Sequence, residues 1–218
     1  ALIGSNGAGK STMLKMMMGL IRPESGQVLL NDRPTADLPK EELGRTISMV
    51  YQNPEEMFIK DSIRKDIEYA MMVRKVEDYQ KRTDELLEMF RLTDLQDRDG
   101  RLLSGGQMRR ASLAIGIALQ PEILLLDEPT ANLDIATRRE IMKTLQMLKG
   151  ITDTVVIATH DMQLVCDWAE RLIVLSAGYV IADGTKEEIF ADMYVRQQVG
   201  IRPPQICDMG RALGIENP

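Results

Sequence analysis

The stretch that decides the fold is GSNGAGKS, residues 4–11, near the start of the 218-residue chain. It fits G-x-x-x-x-G-K-[ST], whose glycines let backbone N–H groups turn towards phosphate oxygens. Apolar residues before it predict the end of a buried strand, and KSTMLKMMMGL predicts a helix whose N-terminus adds positive potential. We expect Lys10 to reach the β- and γ-phosphates of a nucleotide and Ser11 to bind Mg²⁺. The alternative, a glycine turn with an incidental lysine, is disfavoured by the flanking strand and helix.

A second stretch, ILLLDEP (residues 123–129), supplies two adjacent carboxylates. Its four apolar residues predict a buried strand that ends at Asp127 and Glu128. At that strand end, Asp127 can hold the Mg²⁺ coordination shell, and Glu128 can polarise a water molecule for attack on the γ-phosphate. A helix N-cap or a solvated carboxylate pair would explain this short pattern equally well alone. The phosphate-loop pattern in the same chain favours the catalytic interpretation.

A third stretch, LSGGQMRR (residues 103–110), places Ser-Gly-Gly just before a predicted helix. It therefore predicts a second helix N-terminus that can bind an anion. A capped helix start is the alternative, because serine is a good N-cap residue. A cap explains Ser104, but we expect it not to explain Gly105, Gly106 and Gln107 together.

Strands and helices alternate over most of the chain, which predicts an α/β fold with a largely parallel sheet. The charge-rich helical stretch between Asn53 and Gln120 interrupts this alternation, so we interpret it as an inserted all-helical subdomain. The segment RLIVLSAGYVIADG predicts a hairpin with SAGY at its turn. SGQVLLND (25–32) predicts a strand followed by a turn. The other predicted strands are RTISMVYQ (45–52), EILLLDEP (122–129) and DTVVIATH (153–160). The predicted organisation is an α/β core (1–52 and 121–185), a helical subdomain (53–120) and a C-terminal extension (186–218).

Composition excludes some functions. The net charge is −6 and the pI is about 5.0, so electrostatics gives no reason to bind a nucleic-acid backbone. The chain has two cysteines, which allow one possible pair and not a disulfide framework. This low number favours a reducing compartment. No apolar run reaches the roughly 18 residues of a membrane span, so we expect any membrane association to be peripheral.

Six motifs in this order resemble the ATPase subunit of an ATP-binding cassette (ABC) transporter. The resemblance covers essentially the whole chain and implies a P-loop NTPase (RecA-like) core. The matching segments are GSNGAGKST for Walker A, YQNP for the Q-loop, LSGGQ for the signature, LLLDEPT for Walker B, ANLD for the D-loop and ATHD for the switch histidine.

The resemblance implies that two such chains or domains stack head to tail with two ATP sites, each joining one Walker A to the partner's signature. It implies that ATP and Mg²⁺ are the cofactors. The implied catalytic residues are Glu128, His160 and Gln52, and the implied metal ligands are Ser11, Gln52 and Asp127. The implied nucleotide-binding residues are Gly4, Ser5, Asn6, Gly7, Ala8, Gly9, Lys10, Ser11, Thr12, Ser104, Gly105, Gly106, Gln107 and Asp134.

Three of these residues also have ordinary structural interpretations. His160 is the only histidine and stands beside Asp161, which could simply satisfy it. Gln52 could be an ordinary strand-end glutamine, and Asp134 could be the N-cap of the helix that follows. The resemblance instead implies that His160 contacts the γ-phosphate and orients water, that Gln52 senses nucleotide, and that Asp134 sits across the dimer interface.

A finer resemblance points to the energy-coupling-factor importers, the cobalt, nickel and vitamin uptake systems. It rests on YQNPEEMFI and on the C-terminal segments DGTKEEIF, GIRPPQI and RALG. In that group the segment after the Q-loop contacts a membrane protein, which makes Met57, Phe58 and Ile59 candidates; burial in the helical subdomain is the alternative. Two departures are Ser5 where proline is common and Arg109 where glutamine is usual. A third is ANLD in place of the commoner Ser/Ala-Gly-Leu-Asp D-loop.

The family carries strands and an adenine-stacking aromatic residue ahead of Walker A, and this chain has only Ala-Leu-Ile there. We therefore expect a piece of a longer polypeptide, such as half of a fused tandem ATPase.

The expected function is ATP hydrolysis that powers a membrane importer from the cytoplasmic face of the membrane. The expected partners are a second ABC ATPase and an integral membrane component, with no nucleic acid. Two alternatives stay open: a soluble cassette ATPase that acts on DNA or ribosomes, and a non-catalytic nucleotide-dependent dimerisation module.

Overall fold

The computed structural model describes residues 1–192 and Val195. These residues form two compact units, one from 1–14 with the described part of 157–218 and one from 15–156. The tail segments GIRPPQI and RALG lie outside the described residues, as does most of the expected C-terminal extension. No helix in the described part of the chain is long and apolar enough to span a membrane.

The first unit is built on parallel strands that are buried on both faces. Strand β1 (Leu2–Ile3) pairs in parallel with β6 (Thr154–Thr159), where Leu2 lies opposite Ala158, and with β7 (Arg171–Ser176), where Leu2 lies opposite Ile173. Leu2 and Ile3 are fully buried, as expected of a strand covered on both sides. The elements are β1 (Leu2–Ile3), α1 (Lys10–Met17, which continues into the second unit), β6 (Thr154–Thr159, which begins in the second unit), α7 (Met162–Trp168), β7 (Arg171–Ser176), β8 (Tyr179–Thr185) and α8 (Lys186–Ala191).

Strands β7 and β8 form an antiparallel hairpin, as the sequence predicts. Its turn is Ala177–Gly178, and both residues have positive φ, 48° and 85°. Two such residues give a turn whose twist matches that of the flanking strands.

The second unit has one parallel strand pair covered by helix. Strand β4 (Ile47–Val50) pairs with β5 (Ile123–Asp127) from Ile47 opposite Ile123 to Val50 opposite Leu126. A Cβ at Gly116 of helix α5 (Gly105–Ile117) would lie 2.6 Å from Val50 Cγ2, so this glycine lets the helix approach β4 closely. The elements are β2 (Leu29–Leu30), β3 (Arg33–Pro34), α2 (Lys40–Thr46), β4 (Ile47–Val50), α3 (Ile63–Val73), α4 (Tyr79–Met89), α5 (Gly105–Ile117), β5 (Ile123–Asp127) and α6 (Ile135–Leu148).

The segment 25–32, predicted as a strand followed by a turn, contains a strand of only two residues. Only Leu29–Leu30 is a strand, paired with Arg33–Pro34 across a tight turn in which Asn31 and Asp32 have positive φ. The other predicted strands are present. The described strands pair largely in parallel, with antiparallel pairs at β7–β8 and β2–β3, and helices alternate with them, so the predicted α/β class is confirmed.

Every described element between β4 and β5 is helical, in the stretch where the sequence predicts a helical subdomain. Phe58 is buried there against Gly100, where a Cβ would lie within 2.2 Å of its ring, so Phe58 belongs to the core of this segment. Ile59 is 66% exposed. The three candidates for membrane-protein contact therefore separate, and Ile59 is the exposed one.

Candidate active site

The phosphate loop (Gly4–Ser11) connects β1 to α1, and the Lys10 side chain at its end folds back to contact its first two residues. Lys10 Nζ donates hydrogen bonds to the carbonyl oxygens of Gly4 (2.9 Å) and Ser5 (3.2 Å). The Lys10 side chain is 7% exposed, whereas Ser5, Asn6 and Gly7 are exposed. A buried ammonium group beneath an exposed loop at a helix N-terminus is an arrangement that fits a polyphosphate.

Two positions of the loop require glycine, each for a different reason. A Cβ at Gly4 would lie 2.3 Å from the carbonyl oxygen of Leu175, so no side chain fits there. Gly7 has φ of 80° with no heavy atom within 4 Å of a built Cβ, so its need is conformational. The β7–β8 turn supports the loop, because the Gly178 N–H donates to the Ala8 carbonyl (3.2 Å).

The two candidate carboxylates lie at the end of β5. Asp127 is the last residue of the strand, and the Asp127 and Glu128 side chains are both nearly buried, at 5% and 6% exposure. Glu128 has φ of 47° and is one of nine non-glycine residues with positive φ in the described part of the chain; this left-handed conformation costs about 1–3 kcal/mol.

The signature (Leu103–Gln107) begins α5 with a complete capping box. The Gln107 N–H donates to Ser104 Oγ (3.5 Å), and the Ser104 N–H donates to Gln107 Oε1 (3.1 Å). The cap therefore accounts for Gln107 as well as Ser104, but it gives no reason for Gly105 or Gly106. Packing within the same chain also requires glycine at position 106, because a Cβ there would lie 2.4 Å from Thr137 Cγ2. Ser104 and Gly105 are exposed, with N–H groups at a helix N-terminus.

The D-loop (Ala131–Asp134) packs against the signature. Asp134 caps α6, accepting from the N–H groups of Ala136 (2.9 Å) and Thr137 (3.0 Å) and from Thr137 Oγ1 (2.6 Å). These bonds, that from the Thr137 hydroxyl above all, lower the pKa of the exposed Asp134 carboxyl. The N-cap interpretation holds within one chain, and the carboxylate stays on the surface.

Gln52 follows β4 and is exposed, and its backbone is held by Arg109 of α5. Arg109 Nη1 donates to the Tyr51 carbonyl (3.1 Å) and Nη2 to the Gln52 carbonyl (2.9 Å). Arg109 is 3% exposed; burial lowers the pKa of its guanidinium, and the Asp127 carboxylate opposes this effect.

Sequence reasoning identified Arg109 only as a departure from the family pattern. A signal was present, because Leu113, Gly116 and Ile117 follow it at the spacing of one helix face and are themselves buried. A charged residue on the buried face of a helix needs a dedicated partner.

A cavity of about 330 Å³ joins three of the predicted motifs within the second unit. Its lining includes Gln52 of the Q-loop (Tyr51–Pro54), Gly105 of the signature, Asn132 of the D-loop and Arg109. The structure thus brings the Q-loop, the signature and the D-loop together around one opening.

His160 belongs to the first unit, as does the phosphate loop. It comes directly after β6 and is exposed. Its neighbour Asp161 caps α7, accepting from the Leu164 N–H (3.1 Å), while the Asp161 N–H donates to Thr159 Oγ1 (3.0 Å).

Comparisons with known proteins identify the family. A family model described as ABC transporter matches residues 1–131. The cobalt import ATP-binding protein CbiO of Rhodobacter capsulatus is 35% identical over 213 residues, which are 96% of this chain and 76% of that protein. The chain belongs to the ABC transporter ATPase family.

Two solved structures of this family share the fold. CbiO1 of Clostridium perfringens, described as part of the ABC transporter complex CbiONQ, matches with a TM-score of 0.78 and 33% identity over 96% of this chain and 86% of its own. A dimeric ATP-binding cassette in a post-hydrolysis state with ADP and Pi matches with a TM-score of 0.73 and 31% identity, over 84% and 83%.

These similarities confirm several predictions about this ABC ATPase. The P-loop NTPase fold, the ATPase activity class and the resemblance to the energy-coupling-factor group are confirmed. The individual site residues and the domain boundaries stay predictions.

Proposed function

We propose that this chain is the ATP-hydrolysing subunit of an energy-coupling-factor importer and works in a head-to-tail dimer. One observation carries the proposal: a single chain has two accessible helix N-termini suited to phosphate, the loop at Lys10 and the signature at Ser104–Gly105. Only the first brings its own cation. The second would therefore complete a site whose cation comes from another chain.

In the proposed site, the phosphate loop binds ATP, with Lys10 at the β- and γ-phosphates and Ser11, Gln52 and Asp127 as Mg²⁺ ligands. When bound, Mg²⁺ neutralises charge on the phosphates. Ser104 and Gly106 of the opposite chain contribute at the γ-phosphate, and Asp134 lies at the interface. The other assigned nucleotide-binding residues are Gly4, Ser5, Asn6, Gly7, Ala8, Gly9, Thr12, Gly105 and Gln107.

Hydrolysis in this scheme needs a base and a group that orients water. The Glu128 carboxylate accepts a proton as water attacks the γ-phosphate, and the His160 imidazole contacts the γ-phosphate and orients that water. The position of Glu128 supports this role, because its buried side chain follows directly after Asp127, the last residue of β5.

We propose that an integral membrane component is the second partner, which would hold the chain at the cytoplasmic face of the membrane. Among the exposed apolar side chains, Ile59 lies next to the Q-loop and Leu102 next to the signature, and we propose these two for that contact. The CbiONQ complex of the structural relative supports such an assembly. The cobalt-import relative supports a metal ion as cargo, and a vitamin is the other cargo that we propose for this importer group.

A Glu128→Gln variant tests the function. We expect its steady-state ATP turnover in the assembled complex to fall at least about a hundredfold, because the base is lost. Glu140→Gln, at an exposed position of α6, is the control and should keep wild-type turnover. Wild-type turnover by Glu128→Gln would overturn its role as base, and co-purification with ribosomes instead of membranes would overturn the transport assignment.

A further inference from the structure

Arg109 ties the Q-loop to the signature helix through two hydrogen bonds. We propose that Arg109 is a positioning residue that holds the backbone of Gln52 in a fixed place relative to the N-terminus of α5. Movement at the signature would then be transmitted to Gln52. The proposal rests on the nucleotide-sensing role proposed above for Gln52.

The contact geometry supports a clamp. Arg109 Nη1 and Nη2 donate to two consecutive carbonyls, those of Tyr51 and Gln52, at 3.1 and 2.9 Å. These carbonyls come just after Val50, the last residue of β4 paired with β5. The rigid fork of a guanidinium can hold two adjacent acceptors at once, which an ammonium cannot do with the same fixed geometry.

The connection from Arg109 to the signature at the start of α5 is also fixed. Arg109 lies five residues after Ser104 in the same helix, about 7–8 Å along its axis. The capping box fixes Ser104 to the start of α5, and Gly106 packs on Thr137 of the next helix. A displacement of Ser104 or Gly105 would therefore move the guanidinium, and with it the Gln52 backbone.

Stability alone does not explain this arginine. Its Nε is buried and has no hydrogen-bond partner in the described part of the chain, and such a group costs about 1–3 kcal/mol. The Asp127 carboxylate interacts favourably with the Arg109 charge, because it opposes the lowering of the Arg109 pKa by burial. That interaction needs only a positive charge, whereas the two carbonyl contacts need the planar fork, so it is the carbonyl contacts that distinguish arginine from lysine at this position.

A double-mutant cycle tests the coupling in the full chain within its assembled complex. We expect Arg109→Met to lower the kcat of ATP hydrolysis about tenfold, to raise the Mg²⁺ concentration for half-maximal activity, and to leave the KM for ATP within about twofold. In a protein that already carries Gln52→Ala, adding Arg109→Met should lower kcat by less than about a further twofold. Losses that multiply would overturn the proposal, because the two residues would then act independently.

Hydrogen–deuterium exchange supplies a readout that needs no hydrolysis. We expect the backbone amides of residues 51–57 to exchange faster in Arg109→Met than in the wild type. Arg110→Met, one position along the same helix, is the matched control, and its amides in this range should exchange at the wild-type rate. Unchanged exchange in Arg109→Met would overturn the clamp.

Two milder variants keep the test valid if Arg109→Met folds poorly. Arg109→Lys keeps the charge but not the fork, so we expect it to remain slow; full recovery of kcat would show that charge alone matters and overturn the proposal. Arg109→Gln, with one amide donor group, should be intermediate in both kcat and exchange, and values equal to those of Arg109→Lys would count against the fork. A wild-type complex without ATP turnover would instead overturn the proposed function, and the exchange data would still decide on Arg109.

Discussion

The phosphate loop and the signature are both glycine-rich segments in front of a helix, but their glycines meet different neighbours. Gly4 faces the carbonyl oxygen of Leu175, and Lys10 crosses the loop at its helical end. Gly106 faces the methyl group of Thr137, and the signature begins with a capping box instead of a cation. A helix N-terminus carries only about half a unit of positive charge. The signature alone is thus a weak anion site, and the difference supports a site shared between two chains.

The largest effect is expected where the loop brings its own cation. Lys10→Ala should lower kcat about a hundredfold to a thousandfold, because a preorganised charge at the phosphates is lost. Steady-state hydrolysis measures this, with Lys15→Ala, an exposed lysine of the same helix, as control. Turnover by Lys10→Ala within tenfold of the wild type would contradict the proposal that Lys10 binds the phosphates.

The next largest effect concerns the exposed glycine of the signature. A Cβ at Gly105 meets only Leu133 Cδ2, at 3.9 Å, so Gly105→Asp should fold normally. It should lower hydrolysis about a hundredfold by placing a negative charge where the signature would meet phosphate. If Gly105→Asp keeps wild-type hydrolysis, the signature does not bind phosphate.

The neighbouring glycine should act on stability. Gly106→Ala would place its Cβ 2.4 Å from Thr137 Cγ2 and should lower the free energy of unfolding by about 1–3 kcal/mol. Thr137→Ser removes that methyl group, keeps the hydroxyl bond to Asp134, and should restore most of the loss. Urea unfolding checks both; if the Thr137→Ser change restores nothing, the contact is not the cause.

The smallest effect is a pH dependence at Asp134. Hydrogen bonds lower its folded pKa below the ordinary value of 3.8, so its contribution to stability is present above that value and is lost as the pH falls through the folded pKa. Asp134→Asn keeps a cap acceptor without the charge, so its melting temperature should fall less between pH 5 and pH 2. Equal falls in the two proteins would contradict this account of the cap.

The sequence predicts the parts of the molecule that local patterns determine. The parallel strands, the β7–β8 hairpin and the phosphate-loop setting follow from apolar runs and glycine positions. Helix α2 is not predicted by pattern, although Pro39 precedes it and Glu41 and Glu42 occupy its first turn.

The rest depends on contacts between residues far apart in the chain. The two ends of the Arg109 clamp are 57 and 58 positions apart, and Phe58 is placed by Gly100. No local periodicity encodes such pairs. The capping box is different, because Ser104 and Gln107 form a local S-x-x-Q pattern from which the sequence alone can predict the pairing.

The most direct test of the shared site mixes two inactive chains. In a head-to-tail dimer of Lys10→Ala with Gly105→Asp, one site carries both defects and the other carries neither, by the reciprocity of a twofold interface. An equal mixture should therefore recover up to about a quarter of the wild-type hydrolysis, since half of the dimers would hold one intact site. Hydrolysis no greater than the mean of the two separate variants would contradict the shared site.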